Sequence, residues 1–385
     1  MAKGLFIHDH KFPKDNNSYF FSYGFDAEFF SRYKNIFSQL NVIGREIECD
    51  TNHKQTDNQL VKDVDFFTIN SYKKLLNKST RKNIERNIND AEALIIRLPS
   101  ILGLYSIYLA NKIKKPYIIE LVGCPWDAYW NMGFNKKLIA PMMKYLTQRA
   151  IYNSKYTIYV TEEYLQKKYP SKGKSIACSN VTLNEVNEES LIQRLESIDN
   201  FDLNKKIILG TIGTVDSIYK GQHYVIEAIR KLKKDGIMIE YHLVGGGNNE
   251  FLKKIAKKNG VEDQIVFHGK LEHSVIFNWL DGIDIYIQPS DTEGLPRSVI
   301  EAMSVACPVF GSNAGGIPEL IHSSAIFEKG NIDQICHLFK NSSKDKMRNE
   351  VNHNFQNAQK YRREVLYKRR EDFFKLFIEN EVEVK

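Results

Sequence analysis

Five short apolar runs in the second half of this 385-residue chain, separated by helical patterns, restrict its fold more than any other feature. Ile207–Ile212, Ile239–Val244, Ile265–His268, Ile283–Ile287 and Pro308–Phe310 read as strands, and helical periods open at Gln222, Asn249, Ser274 and Arg297. Strands that alternate with helices cannot close as hairpins, so they assemble into a parallel sheet covered on both faces. The first half carries a noisier version of the same scheme. Strands are expected at Gly4–His8, Val42–Ile47, Leu94–Arg97, Tyr117–Leu121 and Thr157–Val160, with helices over Ser22–Leu40, Ile101–Ile113 and Lys136–Tyr152. Residues 182–203 are polar and acidic without a strong period, which puts a domain boundary near residue 200. The predicted class is α/β, with domains over 1–198 and 199–355.

Composition narrows the setting. At 42% hydrophobic residues the chain can fill two cores. No run approaches the roughly 20 apolar residues of a membrane span, and Met1–His10 lacks the basic-then-apolar layout of a signal peptide. Cys49, Cys124, Cys178, Cys307 and Cys336 are scattered, with no C-x-x-C pair, which suits a reducing cytoplasm. The net charge of +7 lies in the first half, where residues 1–198 hold 28 Lys and Arg against 21 Asp and Glu. Lys73, Lys74, Lys78, Arg81, Lys82 and Arg86 crowd one stretch beside Leu75, Leu76, Ile84 and Ile88. Such a stretch is either a solvated helix face or one that lies on an anionic membrane. No nucleic-acid-binding motif accompanies the charge, so nucleic acid is not an expected partner.

The segment richest in chemistry runs from Pro289 to Glu319. Glu293 and Glu301 stand eight positions apart where an apolar strand turns through a loop into a helix. Strand ends of open α/β sheets bind ligands, and helix N-termini there offer N–H groups to anions. Pro296 sits near the first helical turn, which tolerates proline. One carboxylate can thus reach a ligand's reacting end while the other reaches a more distant hydroxyl pair. The competing reading makes both glutamates simple dipole partners of a helix start.

The surrounding residues decide between these readings. Pro289-Ser290, Glu293-Gly294-Leu295, Glu301-Ala302-Met303, Cys307-Pro308-Val309 and Gly315-Gly316-Ile317-Pro318-Glu319 together resemble the donor-site segment of the retaining GT4 glycosyltransferases. That resemblance implies a GT-B fold: two facing Rossmann-like domains, an interdomain cleft and a C-terminal crossover helix. The charged, aromatic-bearing helical pattern over Asn354–Glu381 would be that helix, with 356–385 completing the first domain. The first domain would bind the acceptor and the second a nucleotide-diphosphate sugar.

Several residue roles come with the resemblance. Glu301 would hold the ribose hydroxyls, and Glu293 the sugar hydroxyls near the anomeric carbon. The N–H groups of Gly294, Leu295, Pro296 and Arg297's turn would lie near the diphosphate, although Pro296 itself has no N–H to give. Lys220 would clamp the diphosphate at a helix entrance, where a lysine beside free N–H groups is a natural anion site. Thr214 stands where the family's loop carries an arginine, so one expected cation is missing and Arg297 is a candidate replacement. Gly245, in the Gly245-Gly246-Gly247 turn, would let the backbone approach the donor closely, and His268-Gly269 would flank the base. Retention by a front-face route needs no protein nucleophile.

On the acceptor side Tyr23 and Gly24 follow the first strand. Asp127 is the candidate for taking the acceptor proton, and Trp126 for stacking on a sugar. Each has a structural alternative, Asp127 as a helix cap and Trp126 as core. His8-Asp9-His10 and Asp63-Val64-Asp65 look like possible metal ligands, but the second precedes Phe66-Phe67 in a segment without the context of a metal-dependent transferase, and no metal or cofactor is expected. The composite expectation is a transferase, cytoplasmic or peripheral on the inner face of the membrane, moving a sugar, UDP-linked by preference, to a glycan or lipid-linked oligosaccharide of a bacterial surface polysaccharide. A sugar-nucleotide epimerase or hydrolase of the same fold, and a non-catalytic glycan-binding or membrane-scaffold protein, are the alternatives.

Overall fold

The computed structural model of the protein describes residues 2–16, 18–21, 24–49, 61, 64–131, 133–181, 183 and 186–382. Tyr23, Ser22 and Asp63, named above, lie outside the described residues. The chain divides into two units, Met1–Cys178 with Tyr367–Lys385, and Ser179–Leu366.

The first unit is built on β1 (Lys3–Asp15), β2 (Ser18–Tyr19), β3 (Gln39–Glu48), β4 (Asp65–Ile69), β5 (Ala93–Leu98), β6 (Tyr117–Leu121), β7 (Tyr156–Tyr159) and β8 (Lys174–Ala177). Their order is β4-β3-β1-β5-β6-β7-β8, all parallel, with β2 folded back antiparallel on β1. Helices α1 (Ala27–Lys34), α2 (Lys78–Asp90), α3 (Ile101–Ile113), α4 (Pro125–Trp130), α5 (Phe134–Lys137), α6 (Ala140–Tyr152) and α7 (Tyr164–Lys168) connect them. The aromatic run expected as one helix over 22–40 is helical only over α1. Phe25, Phe29, Phe30, Tyr33 and Phe37 are nonetheless all buried, and Phe6 meets Phe29 and Phe30 edge-on at 5.3 and 6.4 Å. Burial of a compact aromatic cluster, not helical period, sets that spacing.

The second unit repeats the layer scheme with β9 (Ile207–Ile212), β10 (Ile239–Val244), β11 (Ile265–Gly269), β12 (Ile285–Gln288), β13 (Val309–Ser312) and β14 (Ile326–Phe327). Its order is β11-β10-β9-β12-β13-β14, every pair parallel. The helices are α8 (Glu188–Asp199), α9 (Gln222–Lys234), α10 (Glu250–Asn259), α11 (His273–Asp281), α12 (Arg297–Ser304), α13 (Ile332–Lys340) and α14 (Lys344–Ala358), and α15 (Arg363–Glu381) begins in this unit but belongs mostly to the first.

Two boundaries differ from the sequence reading. The first unit ends at Cys178 rather than 198, because α8 is tied to the second unit. The Arg194 guanidinium donates to the carbonyls of Ile283 at 2.8 Å and Leu280 at 3.2 Å, and Arg348 pairs with Asp199. The helical pattern over Asn354–Glu381 is broken between α14 and α15. There the Arg363 N–H donates to the Leu183 carbonyl at 2.8 Å, and only Tyr367 onward belongs to the first unit. Phe373, Phe374 and Phe377 are buried in that unit, with Phe374 edge-on to Tyr33 at 5.9 Å and Phe377 on Tyr156 at 5.3 Å.

Candidate functional site

Strand order locates the site in the second unit. The sheet grows from β9 outward in both directions, through β10 on one side and β12 on the other. Loops leaving β9 and β12 therefore diverge at a topological switch point, where open parallel sheets place their ligands. The first loop carries Thr214 and Lys220, and the second carries Glu293 and opens α12.

Three donors converge on one oxygen there. Glu293 Oε1 accepts from Lys220 Nζ at 2.7 Å, from Ser290 Oγ at 2.7 Å and from Gln288 Nε2 at 3.1 Å. The Glu293 and Lys220 side chains are only 11% and 19% exposed, so the charges meet largely away from water. A sheltered pair is worth having only when further hydrogen bonds satisfy it. Gln288, itself buried, receives the Tyr286 hydroxyl at 2.7 Å and the Ser298 hydroxyl at 3.3 Å. The Tyr286 phenol is pushed far above its usual range by burial, so it acts as a neutral donor. The chain Tyr286–Gln288–Glu293 thus fixes the carboxylate from behind.

Two glycines let the loops approach this closely. Gly221 has φ +74°, and a side chain there would meet the Pro289 carbonyl oxygen at 2.0 Å. Gly315 has φ +59°, and its Cβ would fall 2.1 Å from the Glu293 carbonyl oxygen. The Gly316 N–H then donates to the Gly294 carbonyl at 2.7 Å. The Gly-Gly-x-Pro-Glu segment therefore holds the glutamate loop in place through its backbone.

Helix α12 has Pro296 at its N-cap, and no side chain caps it. Pro296 thus precedes the helix rather than opening it. Glu301 is buried within α12, and its Oε1 lies 3.3 Å from His273 Nε2 at the start of α11. Thr214 makes no long-range side-chain bridge among those described. Its hydroxyl donates to Ser217 Oγ at 3.0 Å, and its carbonyl accepts from the buried Gln222 Nε2 at 3.1 Å. Gly245 and Gly269 are joined, the N–H of the former donating to the carbonyl of the latter at 2.8 Å. His268 beside them is exposed. Its Nε2 lies 3.0 Å from His242 Nδ1, whose other ring nitrogen is 2.9 Å from Glu240. Partial burial, then the neighbouring His242, holds His268 below the usual histidine range.

The structure thus brings Lys220, Glu293 and the Gly294–Arg297 loop together, with Glu301 one helix turn or more further on. Gln288 and Ser298 complete this group without having been singled out in the sequence. The available signal was a glutamine at the end of an otherwise apolar strand, Ile283 to Ile287, where polar side chains occur only with partners.

The acceptor-side residues are held differently. Asp127 lies in the first turn of α4, where its Oδ2 accepts from the Tyr164 hydroxyl at 2.8 Å and lies 3.6 Å from Lys168 Nζ. Trp126 packs against the cluster of Tyr129, Ala140 and Met143 and stacks on Trp130 at 4.9 Å. Asp127 does not cap α4, whose N-cap is Cys124 with no side-chain cap, and Trp126 is only partly buried. Gly24 has φ +77° and precedes Phe25, on which His10 stacks at 4.1 Å.

Among the described residues no group of three or more His, Cys, Asp or Glu is placed to share a metal ion. Asp9 is engaged otherwise, accepting from the N–H groups of Ile101 at 2.5 Å and Leu102 at 2.9 Å and from the Tyr72 hydroxyl at 2.9 Å. Burial holds His8 well below the usual range and His10 at about 4, with the Arg97 guanidinium adding to both.

Comparison with known proteins extends this geometry. Residues 194–362 match the glycosyl transferases group 1 family. A Staphylococcus aureus protein named CapJ is 34% identical over 357 residues, spanning 90% of this chain and 88% of that one. The amylovoran biosynthesis glycosyltransferase AmsK of Erwinia amylovora is 40% identical over 109 residues, 26% of this chain and 27% of its own. The crystal structure of Anabaena HepE in complex with UDP and glucose superimposes with a TM-score of 0.67 at 14% identity, covering 97% of this chain and all of that one. At that identity the likeness speaks for the fold. The chain belongs to the glycosyl transferases group 1 family, and its two parallel-sheet α/β units have the GT-B fold.

Proposed function

We propose that the protein transfers a sugar from a nucleotide-diphosphate donor, UDP-linked, to a hydroxyl of a glycan or lipid-linked oligosaccharide during bacterial surface polysaccharide synthesis. The observation that carries this reading is the Lys220–Glu293 pair at the switch point, with an uncapped helix start beside it and Glu301 deeper on the same helix. AmsK is named as an amylovoran biosynthesis glycosyltransferase. HepE was crystallised with UDP and glucose. These names support the substrate class.

In this reading the donor's diphosphate takes Lys220 from Glu293 and receives the N–H groups at the start of α12. Charge developing on the leaving diphosphate is then stabilised by a lysine and a helix dipole already in position. Glu293, released from the ammonium but still gripped by Gln288 and Ser290, turns its carboxylate to hydroxyls near the anomeric carbon. Glu301 holds the ribose hydroxyls, with His273 beside it. The anomeric configuration is retained, the reaction runs without a metal, and the acceptor proton leaves through a group on the acceptor side. The protein works on the cytoplasmic face of the membrane as a peripheral protein; no described helix is long and apolar enough to cross one.

A thermal-shift screen against UDP, GDP, ADP and TDP, with their sugar conjugates, tests the donor assignment. Ligands that bind only the folded protein raise its melting temperature by mass action. A rise with UDP and its sugars alone is expected. A rise confined to another base reassigns the donor, and no rise with any nucleotide overturns the donor site. Donor consumption without any acceptor, at the full rate, would favour an epimerase or hydrolase.

A further inference from the structure

The basic stretch around Lys73–Arg86 offers little apolar surface beyond Leu76, which is 82% exposed and precedes α2. Ile84 and Ile88 are buried in the core, while Lys78, Arg81, Lys82 and Arg86 face solvent. As a membrane-lying element α2 lacks the greasy half. That half is found next door.

Helices α3 and α6 leave an open groove of about 650 Å³ between them, lined by Leu104, Tyr105 and Tyr108 from one side and Met142, Met143 and Leu146 from the other. Large apolar side chains of its lining stand out of the protein, with Tyr108 64% exposed, Met142 53% and Leu146 38%, and Leu138 and Tyr145, adjacent to the lining in sequence, are 72% and 59% exposed. Scattered exposed apolar residues mean nothing, but a contiguous group on one face marks an interaction surface.

Charge identifies the partner. Residues 101–150 hold seven Lys and Arg against two acids, Glu120 and Asp127. Glu120 is buried beneath Tyr33, and Asp127 is engaged by Tyr164 and Lys168. Lys112, Lys136, Lys137, Lys144 and Arg149 are all exposed. Lys137 lies over the Trp130 ring at 5.3 Å and Lys144 over Trp126 at 5.6 Å. From the other flank α2 packs beside α3, and Arg81 and Glu85 lie close enough to Tyr105 to act on its phenol. The apolar strip is therefore rimmed by cations on both sides, with aromatic rings and lysine stems at its edge. Tyr and Trp with lysines around an apolar strip suit the headgroup level of a bilayer, where rings bury their bodies and ammonium groups reach phosphate.

We infer that the α3–α6 face, with Met142, Leu146 and Tyr108 at its centre, docks onto the surface of a bilayer carrying anionic phospholipid. Met142 and Leu146 enter the headgroup–acyl boundary, and Lys136, Lys137, Lys144 and the α2 cations meet lipid phosphates. This deepens the membrane-peripheral part of the reading above by naming the surface and the lipid class. It does not depend on which donor is used.

The test uses the full chain and co-sedimentation with vesicles of phosphatidylcholine, with and without phosphatidylglycerol. Binding is expected to the anionic vesicles alone, weakening as salt screens the cations. Met142→Asp with Leu146→Asp should lower vesicle binding by about tenfold or more, and Lys136→Glu with Lys137→Glu by a comparable factor, at roughly fivefold per cation. Tryptophan emission of the parent should shift to the blue on anionic vesicles as Trp130 leaves water. The same variants must keep the parent's nucleotide-induced thermal shift, which also shows that they fold. Equal binding to both vesicle types, or undiminished binding of the Met142/Leu146 variant, overturns the inference. So does concentration-dependent self-association that the Met142/Leu146 variant abolishes while vesicles go unbound, since the face then belongs to a second copy. Vesicle binding with no nucleotide shift leaves this inference standing and brings down the donor reading instead.

Discussion

The two sheets treat their switch points in opposite ways. In the second unit the loops after β9 and β12 bring a lysine, a glutamate and a helix start with no side-chain cap together. In the first unit the sheet likewise reverses at β1, between β3 and β5. There the start of α3 is filled by the protein itself. Asp9 accepts the N–H groups of Ile101 and Leu102, and Ser100 caps Gly103. A carboxylate on a helix N-terminus satisfies what a phosphate would otherwise satisfy. Equivalent topology thus yields an anion site in one unit and an internal brace in the other, and one aspartate makes much of the difference.

Glu293→Ala should show the largest effect. Turnover, followed as released nucleotide, should fall by a factor on the order of 10²–10³, while the nucleotide-induced thermal shift persists. Unchanged turnover would remove Glu293 from the chemistry and leave the two switch points functionally alike. Asp9→Ala should act on the opposite side of the comparison. It strands two N–H groups and a phenol, costing about 2–3 kcal/mol of stability, with the nucleotide shift unaltered. A lost nucleotide shift at full stability would mean that the first switch point also serves the donor.

Acid should loosen the first unit through two histidines. His10 is held at about 4 in the folded protein against 6.5 when free, and His8 moves the same way. Because the folded values are depressed, their contribution is present above pH 6.5 and fades as pH falls toward 4. For His10 it amounts to about 2 kcal/mol after allowance for its partial exposure. Melting curves between those limits check this, and a flat profile would show that the histidines are as free to charge in the fold as outside it. The smallest effect is expected of Thr214→Arg, which returns the missing cation to the β9 loop and should tighten nucleotide-diphosphate binding by roughly tenfold. No tightening would indicate that Lys220 and the α12 start already saturate the diphosphate.

The second unit was the more legible one. Its strands at Ile207–Ile212 and Ile239–Val244, and the helix from Gln222, fall where the apolar periods place them. Short buried strands between polar turns state their limits plainly. In the first unit β4 was hidden because Asp65 drew attention as a ligand; it stands exposed at the strand's start. The edge strand β8, Lys174–Ala177, is too short and too polar to show a period. The tail was read as one helix because nothing local marks the Arg362–Arg363 break, which is secured by Leu183, far away in sequence. At the site, the Glu293 motif was readable as a resemblance. Its pairing with Lys220 joins residues 73 positions apart, and no local pattern encodes such a meeting.

The last helix has a consequence for how the molecule is made. Phe373, Phe374 and Phe377 complete the core that Phe6 and Tyr33 begin, so the domain that leaves the ribosome first is the last to be finished. Domains usually mature in the order of synthesis. Here the second unit can close while the first still waits for its final strap. A chain cut before Phe373 would lose not a tail but the keystone of its opening half.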